Sequence, residues 1–174
     1  SSDLEKNYRY ACEVFSKVPV KPGKKKRVGI TGEIYMKYSK LGNDDIESFL
    51  LRQGMEPYSG GFVNYCLYLV DTERYKAEKY QHNPIMAKAC AFVLHRLCEA
   101  QKHLLTVIGE TDRFQTDLPF PELKEKVQGI LAEGCNTGDG WLIAAEVIQY
   151  VEKGCGSVLI LHPFGCLVSH VCER

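Results

Sequence analysis

The sequence predicts an α/β domain in which a mostly parallel sheet is flanked by helices in three layers. Short apolar runs typical of buried strands alternate with longer segments of helical periodicity, and parallel neighbours need crossover helices between them. The chain has 174 residues, 45% of them hydrophobic and 25% charged, which suits one domain with a substantial core. We therefore expect a Rossmann-like or flavodoxin-like sheet.

Charge and hydropathy argue against two classes of partner. The 22 basic and 22 acidic side chains cancel, so we expect no positive field that would attract nucleic acid. The longest strongly apolar stretch, near 158–161, is far shorter than the ~20 residues of a membrane span, and the amino terminus does not resemble a signal peptide. We expect a cytoplasmic protein, and a fragment of a larger one because the chain lacks an initial Met.

Helical spacing over residues 3–16 predicts an amphipathic arm, placed at 1–20, followed by the α/β domain at 21–174. The basic run Lys21–Arg27 fits a solvated linker. The apolar run Arg27–Thr31 predicts the first strand. Four further elements follow: a helix capped within Asn43–Asp45 and ended by Gly54, a second strand near 55–58, a helix over 62–80, and the longest helix over 84–108.

The longest predicted helix has one broad apolar face, on which Cys90 and Cys98 are expected to be small core residues. On its other side His95, Glu99 and His103 form a row that could hold a metal, although such a row on an exposed helix more often forms local ion pairs. The apolar face consists of Met86, Cys90, Val93, Leu94, Leu97, Cys98, Leu104 and Leu105.

The last third of the chain predicts two helices and the final strand, Ser157–Leu161, with Gly154 as a left-handed cap before it. Right-handed crossovers place the carboxyl ends of parallel strands at one edge, where open α/β sheets bind ligands. Gly32 and Glu33 should therefore meet the loop Pro163–Cys166 there. The two helices are expected to bury Leu123, Val127, Ile130 and Leu131, and then Leu142, Ala145, Ile148 and Val151.

The glycine-rich segment Gly134–Gly140 precedes a helix but lacks the Lys-Ser/Thr of a P-loop. Two interpretations are open. Free N–H groups at the helix start could bind a small anion or a CoA phosphate. Alternatively, the segment is a tight connection with Thr137 or Asp139 as the cap. Its candidate binding residues are Thr137, Gly138, Asp139 and Gly140.

Cys166 differs from the other seven cysteines because Gly165 permits close backbone approach at the predicted sheet edge. A thiol there could be a nucleophile, a metal ligand or a cluster ligand. The chain contains no C-x-x-C pair, and Cys155 and Cys172 lie at spacings that fit no standard cluster motif. The other cysteines are expected to be free thiols. His162 and His170 could adjust such a site or be structural.

Three stretches resemble one family in their order and sequence. They are Gly29–Tyr35 with Leu41–Asn43, Thr137–Leu142 with Ala145–Glu146, and Pro163–Leu167 with His170. Together, over about residues 26–171, they resemble the uncharacterised domain of the CoA-substrate-specific enzyme activases, the 2-hydroxyglutaryl-CoA dehydratase activator type. The Pro-Phe-Gly-Cys element is the most distinctive part.

The resemblance implies a segment of a large, oxygen-sensitive protein of an anaerobic bacterium. Its other domains would be an ATPase and a dehydratase-like region, and its partner an acyl-CoA dehydratase or reductase. Such systems use ATP hydrolysis to drive one-electron transfer from [4Fe-4S] clusters. By this resemblance Cys166 would be a metal ligand, with further ligands from outside the chain. Gly32, Glu33, Pro163, Phe164 and Gly165 would contribute to cofactor binding.

Two other functions stay open: a noncatalytic docking scaffold, and a CoA- or nucleotide-binding flavodoxin-like module. Glu33 could be an acid/base group or a ligand, or a solvated turn residue. A homodimer is also compatible with the sequence. No complete acid/base or nucleophile constellation can be assembled from the chain, so we expect no turnover from it alone.

Overall fold

The computed structural model describes residues 2–20, 23–111 and 113–172. Within them, three parallel strands form one sheet in the order β2-β1-β3. The central strand β1 (Arg27–Gly32) pairs with β2 (Glu56–Ser59) on one side and with β3 (Ser157–Leu161) on the other. In this register Gly29 lies between Tyr58 and Val158. The predicted α/β class with a parallel sheet is confirmed.

The helices lie close to the predicted positions, apart from two short helices that the sequence did not suggest. One of them, α2 (Ile34–Tyr38), follows β1 directly, and the other, α8 (Leu167–Cys172), follows the loop after β3. The described helices are α1 (Ser2–Ser16), α2 (Ile34–Tyr38), α3 (Ile46–Arg52), α4 (Phe62–Lys79), α5 (Pro84–Gly109), α6 (Phe120–Glu125), α7 (Gly140–Glu152) and α8 (Leu167–Cys172). None of them has the length and apolar character needed to cross a membrane.

Helices pack on both faces of the sheet. Successive residues of β1 point to opposite faces, so each face presents side chains to a helix. Val28 and Ile30 pack with Leu50 of α3 on one face. On the other face, α7 lies so close to the strand that a Cβ atom on Gly29 would come within 2.6 Å of the Tyr150 ring. A glycine at position 29 therefore allows α7 to contact the backbone of the central strand.

A larger apolar core joins α4, α6 and α7. Trp141, 1% exposed, lies at its centre. The ring centroid of Trp141 is 5.1 Å from that of Tyr68 in an edge-on contact and 5.8 Å from that of Phe120. Such aromatic pairs add to the stabilisation that burial of their area provides. This core fixes the start of α7, which carries polar side chains towards the sheet.

The predicted inward face of α5 is wrong for part of its length. Leu94 and Cys98 do pack against the larger core, whereas Met86, Val93 and Leu97 are exposed. The reason is that α5 packs mainly on α4 and α1 and makes no comparable contact with the sheet, so only one side of its apolar stripe is covered. Cys90 is half-buried on the uncovered side.

Other helices also bury fewer of their apolar side chains than the sequence predicts. The helix after Pro119 ends at Glu125, and Gly129 adopts φ +82°, so the chain turns before Ile130, which is exposed. Val151 of α7 is likewise exposed. In α1, Leu4 and Phe15 face solvent, while Tyr8, Ala11 and Cys12 are half-buried.

Candidate functional site at the carboxyl edge of the sheet

The loops that follow β1 and β3 begin side by side, as predicted. Gly32 ends β1 with φ +128°, and a Cβ atom there would lie 2.0 Å from the carbonyl oxygen of Leu161. The next residue, Glu33, donates its backbone N–H to that same oxygen at 2.8 Å. This close approach requires glycine, both for the backbone angle and for the space.

Glu33 caps α2. Its carboxylate accepts a hydrogen bond from the backbone N–H of Met36 at 2.9 Å. A negative charge at this position also interacts favourably with the positive end of a helix. The sequence was compatible with a chemical role for Glu33 or with a turn role. In the structure its side chain has a local partner, the backbone of Met36.

A buried ion pair lies beneath this edge. Lys37 Nζ of α2 contacts both carboxylate oxygens of Glu146 of α7, at 2.7 and 2.8 Å. Their side chains are only 4% and 6% exposed. The Thr31 hydroxyl at the end of β1 donates to Glu146 Oε2. The pair thus ties α2, α7 and β1 together at the carboxyl edge, where a lone charge would be costly.

Asp139 is the most perturbed carboxyl group of the edge. The side chain is 8% exposed, and burial raises its pKa to about 6, with a further rise from Glu33 and an opposing effect of the Ile34 backbone N–H. With Lys37 and Glu146 it lines a recess of about 10 Å³. That volume is comparable with the roughly 10–15 Å³ needed for one water molecule, so the recess is too small for a substrate.

The glycine-rich segment before α7 is a tight connection held by its own backbone. Gly140 N–H donates to the Thr137 carbonyl at 3.2 Å, Trp141 N–H to the Cys135 carbonyl at 2.8 Å, and Leu142 N–H to the Asp139 carbonyl at 3.0 Å. The first three N–H groups of α7 are therefore occupied, which does not support the phosphate interpretation. Asp139 occupies the cap position of α7, as one of the two predictions had it, but its side chain forms no capping bond. At Thr137 the backbone carbonyl accepts the Gly140 N–H.

The Pro163–Cys166 loop is the most exposed part of the edge. Phe164 is 100% exposed, Gly165 adopts φ +69° in open space, and Cys166 is half-buried. Cys166 N–H donates to the Pro163 carbonyl at 3.3 Å, which closes the turn before α8. The thiol therefore lies at the rim of the sheet and not in an apolar core.

The start of α8 packs against the connection before α7. A Cβ atom on Gly138 would meet the Val168 side chain at 3.0 Å. The rings of His162 and His170 lie edge to face with centroids 6.0 Å apart. The segments 32–33 and 137–140 therefore lie at the same edge as the loop 163–166, in contact with Leu161 before that loop and with Val168 after it.

The described residues do not complete a metal site. Among them, no three His, Cys, Asp or Glu side chains converge. Cys155 precedes β3 at its opposite end and is buried, which raises its thiol pKa, and the Cys172 side chain lies outside the described part. In the row on α5, His103 Nε2 lies 3.0 Å from Glu5 of α1. An iron–sulfur cluster bound by Cys166 would need ligands from beyond these residues.

Sequence reasoning missed the Lys37–Glu146 pair. Glu146 gave a usable signal, because it is a charged residue within the apolar run 141–148. Lys37 gave none, since α2 has five residues and too little periodicity to be recognised.

A second polar cluster, also missed, holds the carboxyl end of β2. Tyr150 Oη accepts the Gly60 N–H at 2.8 Å, and Tyr38 Oη donates to the Gly60 carbonyl at 2.7 Å. Burial raises the pKa of both phenols, so both stay neutral and able to bond at ordinary pH. Gly60 is thereby fixed by one tyrosine from α2 and one from α7.

Comparison with known proteins finds no matching family model, no matching curated protein and no matching solved structure. The resemblance carried by the three sequence stretches therefore stays a prediction.

Proposed function

We propose that this domain is a module of an ATP-driven iron–sulfur electron-transfer system, of the type that activates 2-hydroxyacyl-CoA dehydratases. Its sheet would be the centre of a three-layer, flavodoxin-like sandwich. The observation that carries the proposal is that Cys166 is half-buried in an exposed loop after β3, the strand whose last residue, Leu161, accepts the Glu33 N–H.

In this proposal Cys166 supplies one thiolate to a [4Fe-4S] cluster, and another domain or a partner chain supplies the remaining ligands. The cluster would provide one-electron transfer. The chain itself provides the position of the thiol: Val168 of α8 packs on Gly138, and Gly32 brings the Glu33 loop against the end of β3. The exposed Phe164 would contact the body that carries the other ligands.

Anaerobic reconstitution of the longer protein with iron and sulfide tests the proposal. A Cys166→Ser variant should bind less iron and sulfide and lose the cluster's visible absorption. The matched control is Cys66→Ser, since Cys66 is an exposed thiol on α4. Unchanged iron content in Cys166→Ser, or an equal loss in both variants, would remove the ligand assignment.

A docking scaffold is the second candidate, and one observation favours it. Three large apolar side chains are exposed in the loops and short helix after β1 and β3: Tyr35 is 54% exposed, Leu41 88% and Phe164 100%. Leu41→Ala and Phe164→Ala should then weaken association with the ATPase domain without changing iron content. Ile85→Ala, at an 82% exposed position on α5, is the control.

A CoA- or nucleotide-binding module has less support. The recess beside Asp139 has a volume of only about 10 Å³, and the first-turn N–H groups of α7 already bond to the Thr137, Cys135 and Asp139 carbonyls. Titration with CoA followed by calorimetry distinguishes this function from the other two, since saturable binding that survives Cys166→Ser would favour it.

A further inference from the structure

A second cavity lies between α1, the start of α4, α5 and the segment 115–117. It shares no lining residue with the recess beside Asp139. Its volume is about 240 Å³, somewhat below the ~300–1,000 Å³ of sites for drug-sized molecules. The cavity therefore suits a small molecule or one end of a larger one.

The cavity has an apolar side and a polar side. Leu104, Leu105 and Ile108 of α5 form most of the apolar side, with Tyr8 and Val63 also lining the cavity. The polar side consists of Asn64, Gln101, Gln115, Thr116 and Asp117. This combination of an apolar wall with a few polar groups is typical of small-molecule sites.

The orientation of two buried amides leaves one donor directed at the cavity. The backbone N–H of Phe120 donates to Gln101 Oε1 at 2.9 Å, which fixes the Gln101 amide. Gln101 Nε2 then donates to Asn64 Oδ1 at 2.6 Å. Because its oxygen accepts that bond, Asn64 must turn its amide nitrogen elsewhere.

The Asn64 amide nitrogen has no hydrogen-bond acceptor among the described residues. Asn64 is 3% exposed, and buried donors are normally bonded. The nitrogen is not fully enclosed by protein atoms, and Asn64 lines the cavity. A group that enters the cavity can therefore accept a hydrogen bond from it.

Asp117 offers the complementary group. Its Oδ2 accepts the Gly61 N–H at 2.8 Å, while its Oδ1 accepts from Gln149 Nε2 at 3.1 Å and from the Tyr58 hydroxyl at 3.2 Å. Each carboxylate oxygen has two lone pairs, so Oδ2 can accept one more bond. Lys153 Nζ lies 3.8 Å from Oδ1, so Oδ2 is the oxygen left to accept from a ligand.

We propose that this cavity binds a neutral secondary amide with a short alkyl chain. The amide carbonyl accepts from Asn64 Nδ2, the amide N–H donates to Asp117 Oδ2, and the alkyl chain lies against Leu104, Leu105 and Ile108. A carboxylate ligand has no N–H to donate to Asp117 Oδ2, and a purely apolar ligand leaves the Asn64 donor unpaired. This binding does not depend on the proposed iron–sulfur function.

Titration of the full chain with N-propylacetamide, followed by methyl NMR, tests the proposal. We expect saturable shifts at the methyl groups of Leu104, Leu105 and Ile108. Val63→Trp should fill the cavity from its rim and weaken binding at least tenfold. The matched control Val93→Trp should leave binding unchanged, because Val63 and Val93 are similarly exposed, at 53% and 46%, and Val93 does not line this cavity.

A second probe and a second variant test the two hydrogen bonds. N-methyl-N-propylacetamide lacks the N–H and should bind about tenfold more weakly than N-propylacetamide. Asn64→Asp keeps an acceptor for Gln101 but removes the amide donor, and should also weaken binding about tenfold. The proposal is overturned if N-propylacetamide gives no saturable shifts, if Val63→Trp binds as well as the wild type, or if the N-methylated probe binds equally tightly.

Discussion

Replacing Lys37 by methionine should destabilise the domain by about 3–5 kcal/mol, the usual cost of removing one partner of a buried ion pair. Methionine keeps most of the length of the side chain but removes the charge. Glu146, 6% exposed, would then hold a buried carboxylate whose remaining hydrogen bond comes from Thr31. At the 2.7 Å separation of Lys37 and Glu146, the attraction between unit charges is about 6 kcal/mol at an effective dielectric constant of ~20.

Urea unfolding followed by fluorescence measures this loss, because Trp141 is the single tryptophan and is 1% exposed. Glu146→Gln alone should also be destabilising, since it leaves the Lys37 ammonium unpaired. The double variant should lose at least about 2 kcal/mol less than the sum of the single losses, as expected for contacting residues.

Lys40→Met is the control for a lysine whose ion pair is exposed. Lys40 is 75% exposed and lies 3.4 Å from Asp45, so its loss should cost less than about 1 kcal/mol. If Lys37→Met changed stability no more than Lys40→Met, or if the losses of the double variant simply added, the ion pair would not be what joins α2 to α7.

Three further changes test the edge, each by urea unfolding. The Asp139 pKa is raised from 3.8 to about 6, so the stability that this group contributes is complete below about pH 4 and is lost as the pH rises through 6. The stability of Asp139→Asn should therefore rise relative to wild type by up to about 3 kcal/mol between pH 4 and 8. A difference that stays constant with pH would contradict this. Gly32→Ala should cost more than about 3 kcal/mol, because its Cβ would lie 2.0 Å from a carbonyl oxygen, whereas Gly54→Ala, at φ +76° in open space, should cost only about 1–2 kcal/mol; equal losses would exclude the clash. Tyr150→Phe leaves the Gly60 N–H unpaired and should cost about 1–3 kcal/mol, and no loss would show that this bond is not stabilising.

β1 and β3 were predictable because each contains a short apolar run bounded by glycine or polar residues, whereas β2, with the sequence Glu-Pro-Tyr-Ser, was only placed near 55–58. The predicted span 157–161 is that of β3 in the structure, and β1 extends the predicted run by Gly32 alone. The glycine stops were predictable for the same local reason, since Gly54 and Gly154 adopt φ +76° and +82°. A positive φ angle of this kind is determined by the glycine and the few residues around it.

Which apolar side chains become buried was less predictable, because this depends on the neighbouring helices. Met86 and Leu94 belong to one apolar face in the sequence, yet only Leu94 packs on the core. The candidate edge could be located, since parallel strands bring their carboxyl ends together. Its ion pair could not, because Lys37 and Glu146 are far apart in sequence and only the fold places them in contact.

The sheet has an open flank beside β3. Within the described ranges, β3 forms ladder hydrogen bonds with β1 alone, so alternate backbone groups on its outer side are free to pair with an added strand. A strand joining there in parallel would continue the order β2-β1-β3 outward. Its carboxyl end would arrive next to Cys166, on the side away from Glu33, and the residues after it would become direct neighbours of that thiol.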